Sequence, residues 1–171
     1  PDVLEGGAAD AGPYCVGFRQ TDAGEAMTQH LLSQGKQRIV FAAAQLDPRV
    51  MQRLQGWRKA LKAQNLYDPT LEWLNPAASS LALGGVMFEQ IMKQSQAVDA
   101  IFFCNDDLAQ GALLAALRLG IAVPHQVAIA GFNDLTGSDL DIRCFAFCAT
   151  EGLVDHDFSI GERESFALLP R

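Results

Sequence analysis

Val98-Asp99-Ala100-Ile101-Phe102-Phe103-Cys104-Asn105-Asp106-Asp107-Leu108-Ala109 and, further on, Val127-Ala128-Ile129-Ala130-Gly131-Phe132-Asn133-Asp134 decide the fold of this chain. Each is a short apolar run that stops abruptly at an Asn beside a carboxylate. A run without alternation reads as a strand buried on both faces, because a half-exposed strand alternates apolar and polar side chains. Polar residues at the carboxyl end of such strands fall where an open parallel sheet exposes its ligand crevice. Two strands ending this way point to a small-molecule site.

The surrounding sequence repeats strand and helix. Tyr14 to Phe18 is a first strand, with Val16-Gly17-Phe18 as its C-terminal part, and Asp22 or Thr21 caps a helix through Leu32 that Gly35 closes. Arg38 to Ala44 is a second strand. Asp47-Pro48 supplies an N-cap and a first-position proline, and Val50, Leu54, Trp57 and Leu61 form an apolar stripe at helical spacing to about Gln64. Thr70 to Leu74 is a weaker strand, followed by a loop with Pro76 and Ser79-Ser80 and a helix from Ala82 to Lys93. Gly84-Gly85 blurs where that helix begins. Ala100 to Cys104 is the strand of the opening, Asp106 caps a helix ending at Gly120, and Val127 to Phe132 is the next strand. Strands separated by single helices imply right-handed crossovers. The predicted class is α/β, a three-layer arrangement with helices on both faces of a mainly parallel sheet.

In that arrangement the loops after four strands place Asp47, Ser79, Asn105 and Asn133 on one edge. Arg53 joins them, since it falls on the stripe that otherwise faces the sheet. Its stem can pack while its head reaches solvent or pairs with Asp47, or the head can meet a ligand. Asn105 and Asn133 each suit a turn or cap taken singly. The same residue type ending two strands of one sheet favours ligand contact. Ser79 fits a plain loop or one wall of the site.

The chain has 171 residues, of which 49% are hydrophobic, enough for one or at most two compact domains. A net charge of −7 and a pI near 4.8 count against direct binding of nucleic acid, which needs clustered Lys and Arg. No apolar run approaches the roughly 20 residues of a membrane span, and no basic-then-apolar leader precedes Pro1. A soluble, cytoplasmic protein is expected. Cys15, Cys104, Cys144 and Cys148 lack framework spacing and read as reduced thiols, Cys104 as a small hydrophobe inside a strand. Cys144, Cys148 and His156 have no matching second ligand pair, so no metal is expected, and no cofactor. The sequence carries no Gly-x-Gly-x-x-Gly, phosphate loop or Gly-x-Ser-x-Gly, and His30, His125 and His156 stand apart. His30 reads as a surface or packing residue. With no nucleophile set beside a base, the chain is not expected to be an enzyme.

Arg53-Leu54-Gln55-Gly56-Trp57, Asn105-Asp106-Asp107-Leu108-Ala109-Gln110-Gly111-Ala112 and Pro124-His125-Gln126-Val127-Ala128-Ile129-Ala130-Gly131-Phe132-Asn133-Asp134 resemble the effector-binding domain of the LacI/GalR family of bacterial transcriptional repressors. Gln34-Gly35-Lys36-Gln37-Arg38-Ile39 is similar to that family's link between helix and strand. The likeness covers roughly Val16 to Leu140, and Val16-Gly17-Phe18 and Ala130-Gly131-Phe132 resemble the gluconate-repressor branch.

The resemblance implies two similar lobes with an effector between them and a separate N-terminal helix-turn-helix that binds the operator. On this reading residues 1–15 are a remnant of the preceding lobe, 16–142 the effector-binding lobe, and 143–171 a divergent tail without assigned role. In the tail Arg143 to Cys148 can pair as a strand, and the remainder reads as altered or poorly ordered. The motifs imply that Arg53 is the effector-contacting arginine, Asn105 the polar residue that begins Asn-Asp, and Asn133 the usual Asp of a Gly-Phe-Asp-Asp turn, with Ser79 near where relatives place an aromatic ring.

Two departures bear on the ligand. Arg19-Gln20 stand where Asp-Asn is common, and Asn133 replaces an acid. Loss of that acid favours an anion beside Arg53, because a guanidinium binds a carboxylate through two charge-assisted bonds. A sugar acid, gluconate-like, then suits the cleft better than a neutral sugar. The expected partners are a small-molecule effector, operator DNA only through a domain absent from this chain, no membrane, and a second copy in a full-length homodimer. The helix from Asp22 to Leu32 and the edge of the half-domain are contact surfaces on this reading. A solute-binding protein of a sugar transport system is the alternative.

Overall fold

The computed structural model describes residues 20–95, 97–134, 143–150, 152–159 and 163–168, with side-chain surroundings through Phe132. Two strands, β1 (Ile39–Ala44) and β3 (Ala100–Phe103), are buried at every position, as their unbroken apolar sequences require. They pair in parallel with Ile39 opposite Ala100 and Ala42 opposite Phe103. On the outer side of β1 lies β2 (Glu72–Asn75), and on the outer side of β3 lies β4 (Ala128–Asp134), both parallel to their neighbours. The order β2-β1-β3-β4 means that the chain leaves β1 in one direction and returns past it to β3. The boundary between β1 and β3 is therefore the switch point at which an open α/β sheet opens a crevice beyond its carboxyl edge.

Four helices cover this sheet, α1 (Gln20–Ser33), α2 (Pro48–Ala63), α3 (Leu81–Gln94) and α4 (Asp106–Leu119). The Asp47 carboxylate accepts from the Val50 amide at 3.0 Å and starts α2, with Pro48 at the position where a missing amide costs nothing. Gly120 ends α4 with φ +69°, a left-handed cap open to glycine at little cost. Consecutive residues of β4 show that both faces are covered. A side chain at Gly131 would meet Asp106 and Ala109 of α4, whereas the Phe132 ring lies against Arg53 of α2. Phe41 links the layers, its ring 5.9 Å from Trp57 and 5.2 Å from Phe102. Such aromatic pairs add to the burial that drives the core.

The helices cross pairwise on glycine. A Cβ on Gly24 would run into the backbone carbonyl of Arg53, and one on Gly56 would run into that of Thr21, so α1 and α2 touch backbone to backbone. Gly84 and Gly111 do the same for α3 and α4, against Leu108 and Leu81. The Gly84-Gly85 pair that weakens a helix locally is thus what seats α4, and α3 starts cleanly because the Ser80 hydroxyl caps the Leu83 amide.

Several boundaries differ from the sequence reading. Helix α1 begins at Gln20, so Thr21 and Asp22 lie in its first turn instead of capping it. Strand β2 begins two residues late, because Asp68 accepts from the Thr70 amide and winds Pro69–Leu71 into a 3-10 turn. Helix α4 is capped by Asn105 and not by Asp106. Strand β4 extends to Asp134, which places Asn133 within a strand and not in the loop after one. Val16-Gly17-Phe18 lies outside the described residues. Beyond β4 the sheet continues through β5 (Arg143–Thr150), β6 (Gly152–Ser159) and β7 (Arg163–Leu168), all antiparallel to their neighbours. Arg143 to Cys148 is a strand as its sequence allows, and much of the tail read as irregular is strand as well. Among the described residues no helix is long and apolar enough to cross a membrane.

Candidate functional site

Arg53 sits on the buried stripe of α2 between Val50 and Trp57, and only 2% of it is exposed. Its head therefore does not reach solvent. Nε donates to the Gln20 side-chain oxygen at 2.8 Å, and Nη1 donates to the Cys104 carbonyl at 2.8 Å. Cζ stands 4.0 Å from the centre of the Phe132 ring. A buried cation requires such contacts, since an unsolvated charge without them costs several kcal/mol. The guanidinium is thereby held at the carboxyl ends of β3 and β4, beside the switch point between β1 and β3.

Asn105 is committed at both ends of its amide. The oxygen accepts from the Leu108 amide at 3.0 Å, and the nitrogen donates to the Ser79 hydroxyl at 2.8 Å. Ser79 in turn donates its backbone amide to the Gln45 side-chain oxygen at 3.4 Å, while the Gln45 amide donates to the Ala77 carbonyl at 2.8 Å. The loops after β1, β2 and β3 are thus tied into one rim. Asn105 and Ser79 meet directly, and Arg53 joins them through the carbonyl of Cys104, the residue before Asn105. Asn133 follows Phe132 in β4, and its side chain lies outside the described surroundings. Asp47 spends one carboxylate oxygen on its cap.

Gln45 is a member of this rim that the sequence reading does not single out, and Gln20, noted there only as part of the Arg19-Gln20 departure, is not connected to Arg53, its partner 33 residues away. Gln45 has a weak signal, since a residue between a buried strand and an Asp-Pro cap must turn sharply, and its φ is +50°.

Chemistry at the rim is limited. The Cys104 thiol is fully buried, lies 3.8 Å from the Ala44 carbonyl, and is pushed up to about 11, chiefly by burial. It stays protonated at neutral pH and is a poor nucleophile. No group of three His, Cys, Asp or Glu among the described residues could hold a metal. The side chains of Cys144, Cys148 and His156 lie outside the described surroundings, but Cys144 and Cys148 stand four residues apart in β5. At about 3.4 Å per residue that is roughly 14 Å, too far for two thiolates to share one ion.

A family model described as a periplasmic binding protein-like domain matches residues 28–142. The HTH-type transcriptional regulator GntR of Pseudomonas aeruginosa is 54% identical over 132 residues, which are 77% of this chain and 38% of that regulator. The crystal structure of the transcription regulator GntR from Chromobacterium violaceum superposes with a TM-score of 0.74 at 55% identity, covering 78% of this chain and 49% of that one. A sugar-binding transcriptional regulator of the LacI family from Escherichia coli, solved with phosphate, superposes with a TM-score of 0.66 at 27% identity over 74% of this chain and 46% of that one. All three are transcriptional regulators, and the chain spans less than half the length of each. The chain belongs to the periplasmic binding protein-like family, in the form of the effector-binding domain of LacI/GalR-type transcriptional regulators, on the branch that includes GntR.

Proposed function

We propose that this chain is the ligand-sensing part of a LacI-type transcriptional regulator, which binds a small sugar or sugar acid of gluconate type and thereby controls operator binding by a separate helix-turn-helix domain. The observation that carries this reading is the buried guanidinium of Arg53 at the sheet's switch point, beside the rim formed by Ser79 and Asn105. A fixed cation there suits a carboxylate, and amide and hydroxyl groups suit sugar hydroxyls. Asn133, at the end of β4, is the fourth contact. The relatives are regulators, which favours this role over that of a transport solute-binding protein. The net charge of −7 favours DNA contact through another domain.

The same reading gives a cytoplasmic protein that needs no metal or cofactor, performs no catalysis, and has residues 16–142 as its sensing lobe. A homodimer in the complete regulator is supported by the apolar side chains that α3 and α4 leave exposed, Leu114 at 61% and Leu117 at 78% among them. On α1, by contrast, Met27 and Leu31 are buried. The site is tested by calorimetric titration with gluconate and glucose. Arg53→Ala should weaken gluconate, and unchanged affinity for both ligands would refute the assignment.

A further inference from the structure

Gln20 is fully buried at the start of α1, and its side-chain oxygen takes the Arg53 Nε proton at 2.8 Å. Arginine has donors only, so the orientation of the amide is fixed: the oxygen must face the guanidinium and the NH2 group must face away from it. That nitrogen, Nε2, is buried and has no acceptor among the described residues. A buried donor left unmade costs free energy and is uncommon in native folds. The packing that produces it is specific. Gly24 and Gly56 let α1 and α2 meet backbone to backbone, with Gly24 against the backbone of Arg53 itself, and this brings Gln20 against the arginine. Nε2 is covalently close to the oxygen that binds Arg53, so a charged donor set and an unmatched neutral donor lie side by side.

We infer that Gln20 is a recognition residue of the same site, one that orients the Arg53 guanidinium through its oxygen and offers Nε2 to an oxygen of the effector. The proposed ligand chemistry is an acceptor-rich group, a carboxylate or the hydroxyl next to it, that takes hydrogen bonds from both side chains. A hydrocarbon in place of Gln20 would leave the guanidinium one partner short. A glutamate would keep the acceptor for Arg53 and remove the Nε2 donor. This inference rests on the reading of Arg53 as the anion-binding group, and the two can be separated.

In the regulator, Gln20→Glu and Gln20→Leu are compared with Arg53→Ala by calorimetric titration with gluconate, and by thermal unfolding without ligand. Gln20→Glu should unfold within a few degrees of the parent, because Arg53 keeps its acceptor, yet bind gluconate at least tenfold more weakly. Because the glutamate also adds a negative charge beside the anion, its loss of affinity counts for the donor only if the uncharged Gln20→Leu loses affinity as well. A glutamine that serves structure alone predicts parental affinity in a folded Gln20→Leu. Loss of gluconate binding in Arg53→Ala together with affinity within twofold of the parent in Gln20→Glu would overturn the role of Gln20 and leave that of Arg53 standing. Unchanged binding in Arg53→Ala would overturn both. Gln20→Leu, if it folds, should also bind more weakly than the parent, and parental affinity in it would overturn the inference.

Discussion

The Asn105 amide nitrogen donates to the Ser79 hydroxyl at 2.8 Å while the oxygen of the same amide caps α4 through Leu108, so one side chain both starts a helix and closes the rim of the site. These tasks separate by substitution. Asn105→Ala removes both and should lower stability by about 1 kcal/mol, the usual cost of losing an N-cap. Asn105→Asp keeps the acceptor for Leu108 and should stay within about 0.5 kcal/mol of the parent. Urea unfolding of the three proteins measures this, and equal losses in both variants would show that the cap is not what stabilises α4.

The two glycine crossings predict a contrast between the faces of the sheet. Gly56→Ala sets a methyl against the Thr21 carbonyl and 2.5 Å from the Glu25 amide, and Gly111→Ala sets one against the Leu81 carbonyl. Each should cost roughly 1–3 kcal/mol as overpacking. Only Gly56→Ala moves α1 from α2 and hence Gln20 from Arg53, so only it should also weaken gluconate. Comparable losses of affinity in both variants would break the link between the α1/α2 crossing and the site.

Glu72 at the start of β2 accepts from Arg58 Nε at 3.0 Å and from the Tyr67 hydroxyl at 2.5 Å. Its carboxyl lies below its ordinary 4.5, first because Arg58 hydrogen-bonds it and also because Tyr67 does, with burial opposing. A carboxylate with a lowered folded pKa contributes stability that is fully present above its unfolded value and lost as pH falls through the folded one. The protein should therefore lose stability as pH drops below about 4.5, and Glu72→Gln should lose less over that window. Urea midpoints from pH 6 to pH 2.5 test this, and parallel curves for the two proteins would exclude Glu72 as a contributor.

Much of this fold is legible in the sequence because burial leaves a direct mark on it. Ile39–Ala44 and Ala100–Phe103 carry no polar residue, and only a strand covered on both sides tolerates that. Asp47-Pro48 marks a helix start because each residue favours that position for its own reason. The same logic at Asp68-Pro69 marks a 3-10 turn, and overlooking it shifts β2 by two residues. At Asn105-Asp106 two capping residues are adjacent, and composition cannot choose between them. The backbone does, since Asn105 is extended at φ −151° and ψ 170° while Asp106 is already helical. The Gln20–Arg53 pair is invisible because it depends on how closely two helices approach. The Arg19-Gln20 departure marks the position without its partner, and Gly24 and Gly56, which permit the approach, are not connected by sequence alone.

Leu114 and Leu117, with Leu81 and Val86, leave an apolar surface along α3 and α4. If a second copy covers it, Leu117→Glu should shift the regulator from dimer to monomer in sedimentation. Stability of the subunit should change by no more than about 0.5 kcal/mol, as usual for an exposed position. A dimer that survives both Leu114→Glu and Leu117→Glu would place the interface elsewhere.

Arg53 and Asn133 together set the expected choice between a sugar acid and a neutral sugar. Phe132 packs its ring on the guanidinium, and Asn133 is the next residue of β4. Removing the cation by Arg53→Ala should weaken gluconate by roughly 1.5–3 kcal/mol, the range for a hydrogen bond to a charged group. Each 1.4 kcal/mol is tenfold in affinity, so the loss should be about 10- to 150-fold. Asn133→Asp keeps one acceptor, replaces the amide donor, and adds a charge. It should penalise gluconate more than glucose, because only the acid meets like-charge repulsion, and the penalty should shrink as salt screens the pair. Titration of both variants with both ligands at low and high ionic strength measures these quantities. If Asn133→Asp lowers both affinities equally and without salt dependence, Asn133 does not set the preference for an acid.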